Sequence, residues 1–359
     1  MKIRVLDPGF LTTVQDKPRL GLARYGLSEA GPMAPISFLE ANYLAGNATP
    51  LPALEVTVKP PRLLFTATTK IGISGADFSW RLDGRPLNDT QTIEVRAGTT
   101  LQGDYCRSGL RAYIAFAGGV QTPAWHGSAA THVQSGLGGL RLERGMEFDI
   151  GEAGTSLPRR LLEHAYSPLY NGATKVIRVV DGPHASHFPP EAMSLFTGTV
   201  YRVTDQSSRT AIRLEGLALP APTEPLVSAG AWHGAIQVPP SGLPQVLAAD
   251  HPATGGYPIL ASVIRADLEA LGQLRLREEI RFGRVSLETA RALLKRLAES
   301  WATIAPGASP KLKSCRPSFS STAILENRGS CNRAVGSARF WRCAISPMYV
   351  AVPTPVIAI

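Results

Sequence analysis

The stretch GAIQVPPSGLPQVLAADHPATGGYPILASV, residues 234–263, sets glycines and prolines among short apolar runs. Proline lacks a ladder N–H and glycine forfeits side-chain packing, so strand interiors normally avoid both. Their clustering here with Gln237, Asp250, Thr254 and Tyr257 reads as strands bent at bulges and corners of a barrel, with Gly255 and Gly256 at positive φ. Polar groups gathered at such corners also suit a cleft, to which the glycine pair would present Thr254 and Tyr257. A nucleotide loop is set aside, because the chain contains no GxxxxGK[ST].

The same grammar runs through the rest of the chain. With 34 Gly and 29 Pro in 359 residues, and only 18% charged residues, short strands and tight turns are favoured over long amphipathic helices. The runs RLLFTA, KIGISG, TIEVRAG, LRAYIAFAG and MEFDIG read as strands of a first β domain, residues 1–155. One helix interrupts them in PISFLEANYLAGN: Pro35 suits a first helical position, Ile36, Leu39, Tyr43 and Leu44 share a face, and Gly46 stops it. Residues 156–174 lose the alternation and read as a linker. KVIRVVDGP restarts the strands of a second β domain, 175–305, which closes on the helix SLETARALLKRLAESWA, with Ser286 as cap and Leu287, Ala290, Leu294, Leu297 and Trp301 on its buried face.

Composition changes again in the tail, 306–359. It holds seven of the 37 basic residues against one acid, Glu326, and three of the four cysteines, Cys315, Cys331 and Cys343. Most of the net charge of +9 therefore resides there, and no basic stripe interleaved with aromatics marks the body as a nucleic-acid binder. The tail is expected to be disordered or loosely attached. The cysteine spacings fit no zinc pattern, the N-terminus lacks the apolar core of a signal peptide, and prolines interrupt the apolar C-terminus. The expectation is a cytoplasmic protein that does not span a membrane.

Other catalytic templates fail. SGLGGL at 135 does not fit GxGxxG between a strand and a helix, and no GxSxG elbow occurs. His184 and His187 in GPHASH could share a metal, yet a third ligand is not apparent, so they read as loop histidines and no metal is expected.

Seven stretches in order, GFLTTVQDKPRLGLARYGLSEAGPMAP, EANYLAGN, ALEVT, ISGADF, GLRAYIAFAGG, GAIQVPPSGLPQVLAAD and TGGYPILASVIRADL, closely resemble the family of 5-oxoprolinase C subunits, also described as biotin-dependent carboxyltransferase-like proteins and as allophanate hydrolase subunit 2. The resemblance covers about Lys2 to Ala290. It implies a mainly β fold of two cyclophilin-like β-barrel domains with a few short helices. It also implies a complex with a B-type subunit, and with an A-type subunit of the lactam-utilisation kind, which opens 5-oxoproline to glutamate with ATP. That ATP, with Mg, would be shared with or bound by the partners. In the carboxyltransferase relatives, a carboxyl group moves from biotin to an amide such as urea. This chain carries no Met-Lys-Met attachment site, so biotin would arrive on another chain. Other relatives act as regulatory binders of the B-type protein without turnover. The chain departs from the family at Ala34, where Asp usually caps the following helix, at Met146, at Ser241, and around Arg209.

Both chemistries must grip the O=C–N edge of an amide. Gln237 can match that edge with a reciprocal pair of hydrogen bonds. Arg209 offers a fork for a substrate carboxylate, or it could pair with Glu215. Asp250 could direct water as a base, with Thr254 and Tyr257 donating to the developing oxyanion, or it could cap the turn before Gly255. Gln15, Asp16 and Arg19, in TTVQDKPR, either line the cleft or pin the N-terminus.

Overall fold

Alternating burial along short strands builds the first half from two sheets. In the computed structural model, which describes residues 1–152, 158–161, 174–220, 222 and 226–304, one sheet has seven strands in the order Val120–Gln121, Glu147–Ile150, Lys2–Asp7, Arg62–Phe65, Thr100–Gln102, Arg81–Leu82, Arg85–Pro86. The other has five, in the order Leu11–Gln15, Ala53–Thr57, Ser108–Phe116, Thr69–Asp77, Ile93–Val95. Ile3, Val5 and Phe65 of the first sheet and Val14, Leu54, Ile73 and Phe116 of the second meet in one apolar core. Ala53–Thr57 is buried at every position. The core covers one face of this strand, and the opposite face of its sheet carries the helix Pro35–Leu44.

That helix begins at Pro35 as the sequence predicts, and Gly46 beyond its end takes φ 87°. Its burial is wider than the single stripe expected. Ser37, Phe38, Glu40, Ala41, Asn42 and Leu44 are buried together with Ile36, because the helix is enclosed on several sides. Gly72 on the neighbouring strand permits the close approach, since a Cβ there would overlap the Ala41 carbonyl oxygen. Tyr43 meets Trp301 edge-on, ring centroids 6.2 Å apart, and carries the Arg159 guanidinium 4.7 Å from its ring centroid. Arg159 also belongs to the expected linker. Of that segment only 158–161 and Thr174 are described, and there Arg160 bridges Gln91 and Leu161 is buried. The tail lies outside the described residues.

The second half is a closed seven-stranded barrel: Lys175–Asp181, Ile259–Val263, Ala235–Gln237, Gln245–Leu247, Ala211–Glu215, Tyr201–Val203 and Glu279–Arg284, the last returning to the first as a parallel pair. Ile177, Val179, Ile212, Ile236, Val246 and Leu260 fill it, with Phe196 stacked on Phe282 at 4.4 Å. The expected bulge is present, as a register shift between Ile236 and Gln237 opposite Ile259–Val263. Gly255 and Gly256 are not at positive φ, contrary to expectation. The smallness of Gly255 serves a close approach to Gln237 at the outer barrel face. The closing helix, Leu287–Ile304, is capped by the Ser286 hydroxyl, which accepts the Thr289 N–H at 3.1 Å. Ala290 and Trp301 are buried as expected, whereas Leu287 is exposed. The mainly β class with few short helices holds. Among the described residues, no helix is long and apolar enough to cross a membrane.

Both halves belong to one compact unit, Met1–Pro310, and a helix end joins them. Ala34 stands at the N-cap of Pro35–Leu44 and offers no capping side chain. Glu269, 233 positions beyond Ile36, supplies the carboxylate: it accepts the Ile36 N–H at 2.7 Å, the Ser37 N–H at 3.2 Å and the Ser37 hydroxyl at 2.5 Å. Orphan first-turn donors are thereby satisfied from across the interface. Burial pushes the Glu269 pKa up from 4.5 to about 7, against the lowering effect of these bonds and with a further push from Glu40.

Because the folded pKa lies above the unfolded one, folding retains a proton that the unfolded chain releases between pH 4.5 and 7. The associated stabilisation is full below pH 4.5 and is lost as pH rises through 7, a swing of about 3 kcal/mol. Urea unfolding at pH 5 and pH 8 tests this. The wild-type chain is expected to lose stability relative to Glu269→Gln between those values, and parallel pH profiles would refute it.

Candidate functional site

Residue parity separates the two faces of the barrel wall. Ile212, Ile236, Val238 and Val246 point inward, so their neighbours Ala211, Arg213, Ala235, Gln237, Gln245 and Leu247 point outward. Ala211, Ala235, Leu247 and Ile259 form a small apolar patch on this outer face. Polar groups lie at both ends of it. Arg209 and Asp250 occupy one end, and Gln237 and Gln245 the other. Arg209 stands at a bend just before the strand Ala211–Glu215, and the patch lies between the two ends.

At the first end, the structure employs Arg209 differently from the substrate fork expected. Its guanidinium donates to both carboxylate oxygens of Asp250, at 3.0 and 2.8 Å, to Glu55 Oε1 at 2.5 Å and to the Gly31 carbonyl at 2.7 Å. Glu55 also accepts the Tyr113 hydroxyl at 2.5 Å and the Met33 N–H at 2.9 Å. Arg111 lies 3.7 Å from Glu55 and donates to the Gly272 carbonyl at 2.6 Å. Two guanidiniums thus face two carboxylates, all buried. Burial favours loss of the Arg209 proton, but the charges of Glu55 and Asp250 outweigh it and hold the pKa above the usual arginine value. The Tyr113 hydroxyl is pushed well up, by burial and then by Glu55.

Asp250 accepts the Val133 N–H at 3.0 Å as well, and the residue is 1% exposed. Both oxygens are engaged and shut off from solvent, which displaces the expected role of a base acting on water. Glu215, the rival partner for Arg209, instead lies 3.7 Å from Arg202 at the surface. Sequence reasoning misses Glu55, Arg111 and Tyr113. The available signal is Glu55 itself, an acid in the middle of the apolar strand ALEVT, where a charge must be paired.

The N-terminal trio joins this network from behind. Asp16 accepts the Ala129 N–H at 2.9 Å, and Arg19 donates to the carbonyls of Trp125 and Ala130 at 3.1 and 2.6 Å. Gln15 donates to the Thr131 carbonyl at 3.1 Å. All three hold the segment 125–131, whose continuation places Val133 on Asp250.

The other end holds Gln237 and Gln245. Gln237 is 2% exposed; its Oε1 accepts from Gln245 Nε2 at 3.2 Å, and its own Nε2 has no partner. A short ribbon, Ala229–Gly230 paired with Thr254–Gly255, covers it. A Cβ on Gly255 would overlap Gln237 Nε2, so a larger residue there would push the Gln237 amide aside. Thr254 and Gly256 are exposed, and Tyr257 is 44% exposed at the rim. On the opposite edge of Ile259–Val263, His184 is held by Ile259 through its own N–H and through Nδ1, which accepts the Ile259 N–H at 3.0 Å. His184 and His187 stand with ring centroids 6.1 Å apart. Among the described residues no group of three His, Cys, Asp or Glu could hold a metal. A cavity of about 400 Å³ beside Trp80, Arg81 and Arg107 shares no residue with this face.

Removing one partner of a buried charge set leaves the others uncompensated, so Arg209→Ala is expected to cost about 3–5 kcal/mol. Arg202→Ala, which breaks only exposed pairs with Glu215 and Glu279, should cost under about 1 kcal/mol. Equilibrium urea unfolding of the two variants checks the contrast, and equal losses would overturn the structural role of Arg209.

Residues 25–284 match the family described as carboxyltransferase domain, subdomain A and B. The C subunit of 5-oxoprolinase from Escherichia coli (strain K12) is 32% identical over 289 residues, 80% of this chain and 93% of that one. Its namesake from Haemophilus influenzae is 33% identical over 299 residues, 82% of this chain and 94% of that one. Among solved structures, the urea amidolyase of K. lactis superposes with a TM-score of 0.78 at 29% identity, over 86% of this chain and 20% of that one. The chain thus spans about a fifth of that larger protein. It belongs to the carboxyltransferase domain, subdomain A and B family.

Proposed function

We propose that this chain is the C subunit of an ATP-dependent 5-oxoprolinase, in which it grips the lactam edge of 5-oxoproline while partners of the B type and of the A, lactam-utilisation type complete the reaction to L-glutamate. The orphaned Gln237 Nε2 carries the reading. A buried donor without an acceptor costs about 1–3 kcal/mol, a cost that a ligand carbonyl would relieve. With Gln245 holding Oε1, the amide plane is oriented and its free N–H is presented toward the ribbon. As a nucleophile adds to the lactam carbonyl, and before the C–N bond breaks, charge develops on the lactam oxygen, and the same N–H would stabilise it, with Tyr257 and Thr254 as further donors at the rim. The near-complete coverage of the 5-oxoprolinase relatives supports this choice of substrate.

ATP and Mg are assigned to the partners. Arg209 is committed to two carboxylates and a carbonyl, so it is given no role toward a triphosphate. The likeness to the K. lactis urea amidolyase supports a second reading, transfer of a carboxyl group from biotin carried on another chain to a urea-like amide. The same Gln237 edge would serve it.

Mixing the chain with its B-type and A-type partners should produce 5-oxoproline-dependent ATP hydrolysis that the chain alone lacks. Gln237→Ala should lower kcat about 100-fold, the scale of losing one oxyanion donor. Gly255→Ala should lower activity as well, by forcing Gln237 aside. Full activity in Gln237→Ala would refute the role of Gln237, and inhibition by avidin would favour carboxyl transfer.

A further inference from the structure

The strand Ala53–Thr57 runs out into a turn that strains its own backbone. Val58 holds φ 64°, a value that a β-branched residue rarely adopts, and the Lys59 N–H folds back to the Thr57 carbonyl at 2.8 Å. Two loops bond to this turn. The Phe10 N–H donates to the Lys59 carbonyl and the Cys106 N–H to the Val58 carbonyl, each at 3.0 Å. Gly9 lets the first loop approach, because a Cβ there would overlap the Lys59 carbonyl oxygen. A third segment joins at Arg107, whose carbonyl accepts the Arg275 guanidinium at 2.7 Å. Arg275 opens a tight turn that Glu278 closes by accepting the Arg275 N–H at 2.8 Å, with Arg277 at φ 64°.

Each of the three loops carries a large apolar side chain in solvent: Phe10 is 65% exposed, Tyr105 66% and Leu276 54%. Exposed apolar residues scattered singly are ordinary. These three sit on adjoining loops fixed to one another by hydrogen bonds and to a strained turn, and backbone strain persists where the surrounding structure enforces it, often at binding surfaces. The cavity of about 400 Å³ beside Trp80 adjoins the same loops through Arg107, which lines it, so the face offers a recess as well as projections.

The charges around this face are one-sided. Asp7 is paired with Lys59 at 2.8 Å, Asp104 with Arg81 at 3.0 Å and Glu278 with Lys175 at 2.5 Å. Arg62 faces Asp7 across the strand pair, and the charge of Arg144 acts on both Asp7 and Lys59. With Arg107, Arg275 and Arg277 they have no ion pair among the described residues, and these arginines outnumber the nearby acids without one, Asp77 and Glu143. A second copy of this chain would bring the same arginines against these, since a two-fold contact presents a patch to itself. An acidic rim on a different protein is complementary.

We propose that the face of Phe10, Tyr105 and Leu276 docks the B-type partner, through a surface of that partner with an apolar centre ringed by carboxylates. The inference rests on the proposed assembly with that partner, adds the surface by which this chain enters it, and does not depend on Gln237.

Calorimetric titration of the full chain with its B-type partner, at low and at high salt, tests this. Tyr105→Ser and Leu276→Ser should each raise Kd about 30-fold, the scale of losing a central anchor. Arg107→Glu should weaken binding more at low salt than at high salt. Tyr25→Ser, which alters an equally exposed tyrosine on another loop, should bind like wild type. All these side chains stand in solvent, so the fold is not at stake. Wild-type affinity in either Tyr105→Ser or Leu276→Ser overturns the inference, as does an equal loss in Tyr25→Ser. So does dimerisation of the chain alone that Tyr105→Ser abolishes, or binding of a single-stranded oligonucleotide that Arg107→Glu abolishes. Gln237→Ala should dock like wild type even if it is inactive, which separates this face from the amide-gripping role. A wild-type chain that does not bind the B-type partner overturns both the docking face and the proposed assembly.

Discussion

Two halves of mostly β structure are held together by a charge set that neither half could bury alone. Glu55 lies in the centre of a strand with no solvent on either face, and Arg209 comes to it from 154 positions away. An isolated carboxylate in that place would be prohibitively desolvated. Paired with Arg209, and through it with Asp250, it becomes the point at which the first half's sheet and the second half's barrel must meet in one geometry. Specificity rather than net energy is the natural gain from such a set, because apolar replacements of similar volume can be as stable.

The interface in turn orients the barrel. Arg209 and Asp250 sit at one end of the outer barrel face, so that face is fixed relative to the first half. Residues at its other end, Gln245 and Gln237, project beneath the short ribbon that carries Gly255. The apolar patch of Ala211, Ala235, Leu247 and Ile259 separates the buried ions from Gln237 and Gln245. One sheet face therefore carries the joint at one end and the proposed site at the other.

Glu269 combines two tasks in the same way at a helix end. Ala34 cannot cap its own helix, and a carboxylate from the other half takes the place. Joining the halves and capping the helix become one event, and the acid so buried has its pKa raised to about 7.

Local chemistry is legible in the sequence because it depends on near neighbours. Pro35 and Gly46 bound one helix, Ser286 caps another, and the glycines and prolines of 234–263 announce a bulged barrel wall, each through an effect that acts within a few residues. Gln237 and Gln245, eight positions apart on a hairpin, are within reach of the same reasoning, although only Gln237 stands out by pattern. Burial and partnership are another matter, since they depend on which distant segments fold against each other. No local pattern distinguishes Arg209, whose fork is filled by Glu55 and Asp250, from Arg213, which donates to the neutral Gln206, although they are four residues apart. Composition and short-range pattern determined the β class, the helix ends and the polar character of the site. Only tertiary packing decided which of its charges are structural and which are free, because a charge commits its hydrogen bonds to whatever long-range folding brings to it.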